Sequence, residues 1–84
     1  MALQKLLVAN RGEIAIRVAR AAADLGIATV SVAPADDAAS LHTRVTDETR
    51  QLTGRGPAAY LDIEQLVRTA VEAGCDAEIG RAHV

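Results

Sequence analysis

The turn Asn10-Arg11-Gly12-Glu13 holds the residues best placed for chemistry, because a predicted strand ends there and a predicted helix begins. Crevices at the carboxyl ends of strands bind ligands in open α/β sheets, and free N–H groups at a helix N-terminus attract anions. The alternative is a structural turn, in which Gly12 permits the bend, Asn10 hydrogen-bonds the loop and Arg11 pairs with a carboxylate. We favour the structural role, because a single glycine is weak support for a phosphate-binding loop.

Two aspartates offer a second candidate site. Asp36 and Asp37 follow the second predicted strand, where dinucleotide-binding folds keep the carboxylate that binds a ribose. The first turn, however, has only Gly12 in place of the G-x-G-x-x-G pattern. A turn is therefore the better interpretation of both aspartates.

Three isolated side chains are weaker candidates for a functional site. His42 has no histidine, cysteine or carboxylate partner at metal-ligand spacing, so we expect a surface histidine and no metal site. Cys75 lies beside a predicted strand, where a small buried residue is the expected role rather than a nucleophile. Tyr60 is expected to anchor the second predicted helix rather than to bind a ligand.

Arg17 and Arg20 are i,i+3 neighbours on one face of the first predicted helix. A solvated helix face is the default interpretation of such a pair. An interface is the alternative, because arginine is enriched at protein interfaces. Glu13 precedes Arg17 by four residues, in the orientation that favours an ion pair along a helix.

The elements that would position these residues form a βαβ unit at the start of the chain. Leu6–Ala9 and Ile27–Val32 are predicted parallel strands, joined by a helix that runs from just after Gly12 to Leu25. Gly26 is predicted to end this helix in a left-handed conformation. The apolar stripe predicted to be buried is formed by Ile14, Val18, Ala21, Ala22 and Leu25.

The second half continues the α/β pattern. Ala38–Asp47 is predicted as a short helix and Glu48–Leu52 as a third strand, followed by a loop over residues 53–57. Asp62 is a predicted N-cap, and Gln65 would complete a capping box. Gly74 is predicted to end this second helix, and a further strand to begin directly after it. The predicted buried face of the helix consists of Leu66, Val67, Ala70 and Val71.

The composition is that of one small domain, with 84 residues, half of them apolar, and Tyr60 as the only aromatic. The net charge is −2 and no basic block is present, so we expect no nucleic-acid partner. No apolar run approaches the ~18 residues of a membrane span, and no signal peptide is recognisable, so we expect a cytoplasmic protein without membrane contact. The single cysteine excludes an internal disulfide.

Four stretches resemble the N-terminal domain of biotin carboxylases, in that family's order and spacing. They are Val8–Ala15, Leu25–Ile27, Asp47–Thr49 and Tyr60–Leu61. The sequence departs from the family pattern at Thr46, Ala59 and Asp62, where alanine, serine and asparagine are usual. The resemblance implies an α/β fold with a Rossmann-like (pre-ATP-grasp) parallel sheet and flanking helices, which we expect to be incomplete here.

The resemblance also implies a function for a larger parent protein. Biotin carboxylases use ATP, magnesium and bicarbonate to carboxylate biotin on a carrier domain, and a carboxyltransferase uses the product. Their catalytic residues lie in a downstream ATP-grasp region, so we assign no catalytic residue here and expect no activity or cofactor binding from this chain alone. Arg17 and Arg20 match positions at the family's homodimer interface. The alternatives are a small Rossmann-like nucleotide-binding module or a dimerisation domain that uses these arginines.

The resemblance stops after Ala77, where the family continues with a glycine-rich loop of sequence HPGYGFLSE. This chain has Glu78–Val84 instead, and Ile79–Val84 resembles the translation of a sequencing-library adapter. We therefore expect residues 1–77 to be a partial N-terminal domain and residues 78–84 to be a non-native tail.

Overall fold

Strands and helices alternate along the chain in the computed structural model, which describes residues 3–10, 12–37 and 41–80. The strands are Lys5–Val8 (β1), Ala28–Pro34 (β2), Glu48–Leu52 (β3) and Ala77–Ile79 (β4). The helices are Gly12–Asp24 (α1), Gly56–Tyr60 (α2) and Ile63–Glu72 (α3), with two 3₁₀ turns at Ala35–Asp37 and Leu41–Thr43. Among the described residues, no helix is long and apolar enough to cross a bilayer.

The four strands form one parallel sheet in the order β3-β2-β1-β4. Leu7 at the centre of β1 lies beside Val30 of β2 and beside Glu78 of β4. The predicted α/β fold with a parallel sheet is therefore confirmed, and so is a further strand after Gly74. Glu78 and Ile79 of this strand, β4, belong to the tail that the sequence predicts to be non-native.

The core has two layers, because successive residues of β1 point to opposite faces of the sheet. On one face, Leu7 lies in a cluster with Tyr60 of α2 and Leu66 of α3. On the other face, Leu6 and Val8 lie in a smaller cluster with Ala15 of α1. Helices thus cover both faces, as expected for a parallel sheet.

Both longer helices end at the predicted glycines. Gly26 and Gly74 each have a φ of +74°, a conformation that residues with a Cβ rarely adopt. After α1, the N–H groups of Gly26 and Ile27 donate to the carbonyls of Ala23 and Ala22. The same pair of bonds follows α3, and it satisfies carbonyls that a helix end would otherwise leave unpaired.

The buried face of α1 differs from the predicted stripe. Ile14 is 57% exposed and Leu25 is 75% exposed, whereas Ala22 is the one predicted member that is fully buried. The residues that are buried are Ala15, Ile16, Ala19 and Ala22. The two stripes are one residue apart, about 100° around the helix. Three of the four buried side chains are alanines, whereas the larger Ile14 and Leu25 lie towards solvent.

The second half of the chain departs from the prediction in three places. The described part of Ala38–Asp47 contains only the turn Leu41–Thr43 instead of a helix, and residues 38–40 lie outside the described residues. The predicted loop over 53–57 ends early, because α2 begins at Gly56. On α3, Gln65 and Leu66 are the buried residues, whereas Val67 and Val71 are exposed.

One half of the predicted capping box is present. Asp62 Oδ1 accepts a hydrogen bond from the Gln65 amide at 3.2 Å, which caps α3. The Gln65 side chain turns to the end of β3 instead, where its Oε1 accepts from the Thr53 amide at 2.6 Å and its Nε2 is 3.3 Å from the Thr53 carbonyl. The side chain therefore joins α3 to β3.

Aspartates connect neighbouring strands at the amino edge of the sheet. Asp47, just before β3, accepts from the amide of Thr29 in β2 at 2.8 Å. Asp76, just before β4, accepts from the amides of Gln4 and Lys5 at the start of β1, both at 2.9 Å. Each carboxylate satisfies N–H groups at the beginning of the adjacent strand.

Candidate functional site

The turn between β1 and α1 lies at the carboxyl edge of the sheet, as predicted. Asn10 is only 7% exposed, and its Oδ1 is buried without a hydrogen-bond partner in the part of the chain that the structure describes. Gly12 begins α1 with a φ of +63°, so it makes the bend that the structural interpretation requires. Arg11 lies outside the described residues. In its described residues, the turn therefore offers one buried polar acceptor without a partner, Asn10 Oδ1.

Glu13 and Arg17 point to solvent on the outer face of α1. Arg17 Nε lies 3.5 Å from Glu13 Oε2, so the predicted i,i+4 ion pair is present. Both side chains are more than two-thirds exposed, and such pairs contribute only about 0.3–0.5 kcal/mol. Arg20 is exposed on the same face. The two arginines thus lie at the surface of α1 and do not contribute to the core.

The two aspartates after β2 bind groups of the chain itself. Asp36 Oδ2 accepts from the Gly56 amide at 3.2 Å, at the start of α2. Asp37 Oδ2 accepts from the hydroxyl of Tyr60, at the end of the same helix. The two carboxylates position α2, which favours the turn interpretation over a ribose-binding role.

His42 is buried, so the prediction of a surface histidine was wrong. It is 1% exposed, and its Nε2 lies 3.3 Å from the Val32 carbonyl and 3.3 Å from the Tyr60 hydroxyl. A carbonyl can only accept, so we assign the ring proton to Nε2. The other ring nitrogen, Nδ1, is buried without a hydrogen-bond partner among the described residues.

His42, Tyr60 and Asp37 form a polar cluster that joins the β2–β3 connection to α2, with His42 and Tyr60 buried and Asp37 partly buried. The imidazole and phenol rings meet edge to face, with centroids 6.1 Å apart. Sequence periodicity missed this cluster, because its members come from two turns and a short helix. The one available signal was Tyr60, since a sole aromatic residue in a small domain is seldom left in solvent.

Cys75 is half-buried next to the amino edge of β1. Desolvation raises the pKa of its thiol above the ordinary 9.0, and the positive charge of Lys5 opposes this effect. Lys5 Nζ donates to the Ala73 carbonyl at 2.6 Å and lies 3.3 Å from Glu48 Oε1. The raised pKa makes Cys75 a poor nucleophile, in agreement with a packing role.

The described residues do not form a site that fits ATP or magnesium. Within the described ranges, no three histidine, cysteine, aspartate or glutamate side chains come together in a way that could hold a metal ion. The β1–α1 turn has Gly12 alone, and the carboxylates of Asp36 and Asp37 already accept hydrogen bonds.

Comparison with known proteins identifies similar sequences. The chain matches the family described as biotin carboxylase, N-terminal domain, over residues 2–80. A pyruvate carboxylase of Staphylococcus aureus is 51% identical over 78 residues, which cover 89% of this chain and 7% of that protein. A putative urea carboxylase of Emericella nidulans is 46% identical over 78 residues, which cover 93% of this chain and 6% of that protein.

Solved structures show the same fold. The biotin carboxylase domain of a single-chain bacterial carboxylase superposes with a TM-score of 0.86 at 48% identity, over 89% of this chain and 17% of that one. A 2-oxoglutarate carboxylase biotin carboxylase domain from Hydrogenobacter thermophilus, solved as a dimer with ADP and bicarbonate, gives a TM-score of 0.85 at 40% identity. That match covers 93% of this chain and 17% of the other. The chain thus spans a small part of the length of the proteins it resembles.

Proposed function

Because this chain belongs to the biotin carboxylase N-terminal domain family, we propose that it is the first portion of an ATP-dependent biotin carboxylase. The parent enzyme would carboxylate carrier-bound biotin with bicarbonate, and would act with a biotin carrier and a carboxyltransferase. The observation that carries this proposal is the family match over residues 2–80 together with the shared parallel sheet.

Within such an enzyme the chain acts as a scaffold. ATP and magnesium would supply phosphoryl-transfer chemistry in the parent, and among the described residues no three histidine, cysteine, aspartate or glutamate side chains come together as a metal site. We assign the chemistry to the downstream region, where the family resemblance places the catalytic residues. The isolated chain is expected to show no biotin-dependent ATP cleavage.

A chimera tests this proposal. Residues 3–77 replace the aligned segment of the Staphylococcus aureus pyruvate carboxylase, which is 51% identical. We expect the purified chimera to retain bicarbonate- and biotin-dependent ATP cleavage, whereas the same carboxylase without that segment loses it. A folded chimera without this activity, or activity from the 84-residue chain alone, would contradict the proposal.

Arg17 and Arg20 would contribute to a homodimer interface of the parent enzyme. The support is their exposure on one face of α1 and their agreement with the family's interface positions. In the chimera, Arg20→Glu is expected to shift sedimentation towards the monomer. Arg68→Glu, a charge reversal at another exposed position, on α3, is the control and should leave the dimer intact. Unchanged sedimentation of Arg20→Glu would remove these arginines from the interface.

Residues 78–84 would be a non-native tail on residues 1–77. The family match reaches residue 80 and β4 pairs through Ile79, so the first tail residues occupy strand positions whatever their origin. Sequencing the source DNA beyond the codon of Ala77 tests the idea. A continuous carboxylase gene that encodes residues 78–84 and then stops would refute it.

A further inference from the structure

The polar cluster of His42, Tyr60 and Asp37 fixes two short elements over the carboxyl half of β2. His42 comes from the turn Leu41–Thr43, and Tyr60 is the last residue of α2. Tyr60 also belongs to the core cluster on this face of the sheet, together with Leu52, the last residue of β3. Contacts within the polar cluster therefore decide whether the turn and α2 stay closed over this part of the core.

The direction of each hydrogen bond in the cluster follows from the available donors. Tyr60 donates its one proton to Asp37 Oδ2, so its oxygen acts as an acceptor towards His42. The carbonyl of Val32 also can only accept, and it lies 3.3 Å from the same ring nitrogen, Nε2. Both partners thus require a proton on Nε2, which the neutral ring supplies.

A second proton on the ring would have to be placed on Nδ1. That nitrogen is buried and has no hydrogen-bond partner among the described residues. His42 as a whole is 1% exposed, so solvent does not reach the ring either. An unpaired buried donor is unfavourable, and a buried charge is more so. The closed cluster therefore holds the neutral ring, whereas a histidine ring released into water takes up a proton at about pH 6.5.

The charged groups around the ring do not supply the missing partner. The turn of His42 packs against α1 and β2. β2 carries no charged side chain, and α2 contributes only the Tyr60 phenol. Asp37 favours a positive ring by its charge, but it is only partly buried and it contacts the Tyr60 hydroxyl, which faces Nε2. The remaining charged side chains of these elements are exposed, namely Glu13, Arg17, Arg20 and Asp24 on α1, Asp36 beside Asp37, and Arg44 after the turn.

We propose that the polar cluster is an acid-sensitive switch, which keeps the Leu41–Thr43 turn and α2 closed at neutral pH and releases them when His42 takes up a proton. The released state binds one proton more than the closed state, so acid favours release. Release separates Tyr60 from the ring and opens the core around Leu52 to water. This is the carboxyl edge of the sheet, where ligands bind in open α/β folds. The switch goes beyond the proposed function and does not depend on it.

Hydrogen exchange of the 84-residue chain, followed by NMR, tests the switch. The amide of Arg44 donates to the Leu41 carbonyl and closes the turn, and the amide of Leu61 donates to the Ala58 carbonyl at the end of α2. Their opening equilibrium constants are obtained after division by the intrinsic exchange rate at each pH. We expect both constants to rise about tenfold between about pH 7.5 and pH 5.5, because the released ring takes up a proton in this range.

Three controls identify the group and the region responsible. The amide of Ile27, bonded to a carbonyl at the end of α1, should keep its opening constant over the same range. His42→Gln has no titrating ring, so the effect of pH at Arg44 and Leu61 should disappear. His83→Gln removes the only other histidine and should leave the effect unchanged.

The remaining outcomes overturn the inference. Opening constants at Arg44 and Leu61 that stay constant or fall in acid would do so, and a fall would mean that Asp37 stabilises a positive ring inside the closed cluster. An equal rise at Ile27 would show that the whole fold opens instead of the switch. Both comparisons use the wild-type chain, so they decide the question even where His42→Gln does not fold. A pH effect that persists in a folded His42→Gln chain would assign it to another group.

Discussion

At the scale of single residues, two acidic side chains at the start of β3 stabilise the sheet. Asp47 accepts from both the amide and the hydroxyl of Thr29, at 2.8 Å and 3.3 Å. Glu48 pairs with Lys5 of β1 and with Arg50 of its own strand. These contacts give a physical reason for an acidic pair at the start of β3. They lie at the amino edge of the sheet, far from the carboxyl edge where ligands bind in such folds.

Asp47→Ala should destabilise the chain. The substitution leaves the amide of Thr29, a residue only 2% exposed, without its carboxylate partner. Unfolding in urea should show a loss of about 1–3 kcal/mol, the cost of an unsatisfied buried donor. Asp24→Ala, on the exposed last turn of α1, is the control and should change stability by less than about 0.5 kcal/mol. Equal effects of the two substitutions would show that the Asp47 bond contributes nothing.

Glu48 should make stability depend on pH in the acid range. Hydrogen bonds from Arg50, and then from Lys5, lower the pKa of its carboxyl below the ordinary 4.5. A carboxyl with a lowered pKa in the folded state stabilises the fold above its unfolded pKa, and this stabilisation is lost as the pH falls through the folded value.

The measurement compares the free energies of unfolding of wild type and Glu48→Gln between about pH 6 and pH 3. We expect wild type to be the more stable at pH 6, with the difference shrinking as the pH falls. Glu64→Gln on the exposed face of α3 is the control. A difference that stays constant over this range would mean that the Glu48 pairs are absent in solution.

At the scale of elements, Gln65 links α3 to the sheet. Its amide group contacts both the N–H and the carbonyl of Thr53, just beyond β3, and its backbone amide is capped by Asp62. One side chain thus fixes where α3 begins relative to the end of β3. An apolar residue at this position could pack but could not satisfy the Thr53 backbone.

Gln65→Ala should therefore loosen α3 from the sheet. We expect a loss of about 1–3 kcal/mol in urea unfolding, because two backbone groups of Thr53 lose their partner. Hydrogen exchange of the Thr53 amide should accelerate in the same variant. Glu64→Ala changes the neighbouring exposed position of the same helix and should affect neither measurement. Unchanged exchange at Thr53 in Gln65→Ala would contradict the assigned role.

The sequence predicted the elements better than their buried faces. The glycines at 26 and 74 and the N-cap at Asp62 are local signals, because each satisfies helix-end groups within a few residues, and the structure has all three. The buried stripe of α1, in contrast, is set by how the helix packs on the sheet. This packing is a tertiary property and leaves no local signal in the sequence. His42 was misplaced for the same reason, since its partners are ten and eighteen residues away in sequence.

At the scale of the whole molecule, helices cover both faces of the sheet, and each longer helix leaves some aliphatic side chains exposed beside its charged residues. On and just after α1 these are Ile14 and Leu25, and on α3 they are Ile63, Val67 and Val71. Exposed aliphatic side chains in one line can serve as a contact surface.

The neighbouring residues Leu66 and Val67 provide a direct test of this arrangement, because apolar periodicity placed both on the buried face of α3. The structure buries Leu66 completely and exposes Val67 by 49% and Val71 by 73%. Val67→Glu combined with Val71→Lys creates an i,i+4 pair in the favourable orientation and should change stability by only a few tenths of a kcal/mol. Leu66→Ala should cost about 2–5 kcal/mol, because it removes a fully buried side chain.

Sedimentation of the isolated chain over a range of concentrations should show less self-association in the Val67→Glu, Val71→Lys variant than in wild type, because the exposed stripe is replaced by charges. Urea unfolding of the same samples separates this surface effect from a change in the core. If the double substitution unfolds the chain as severely as Leu66→Ala does, Val67 and Val71 face the core and the orientation of α3 described here is wrong.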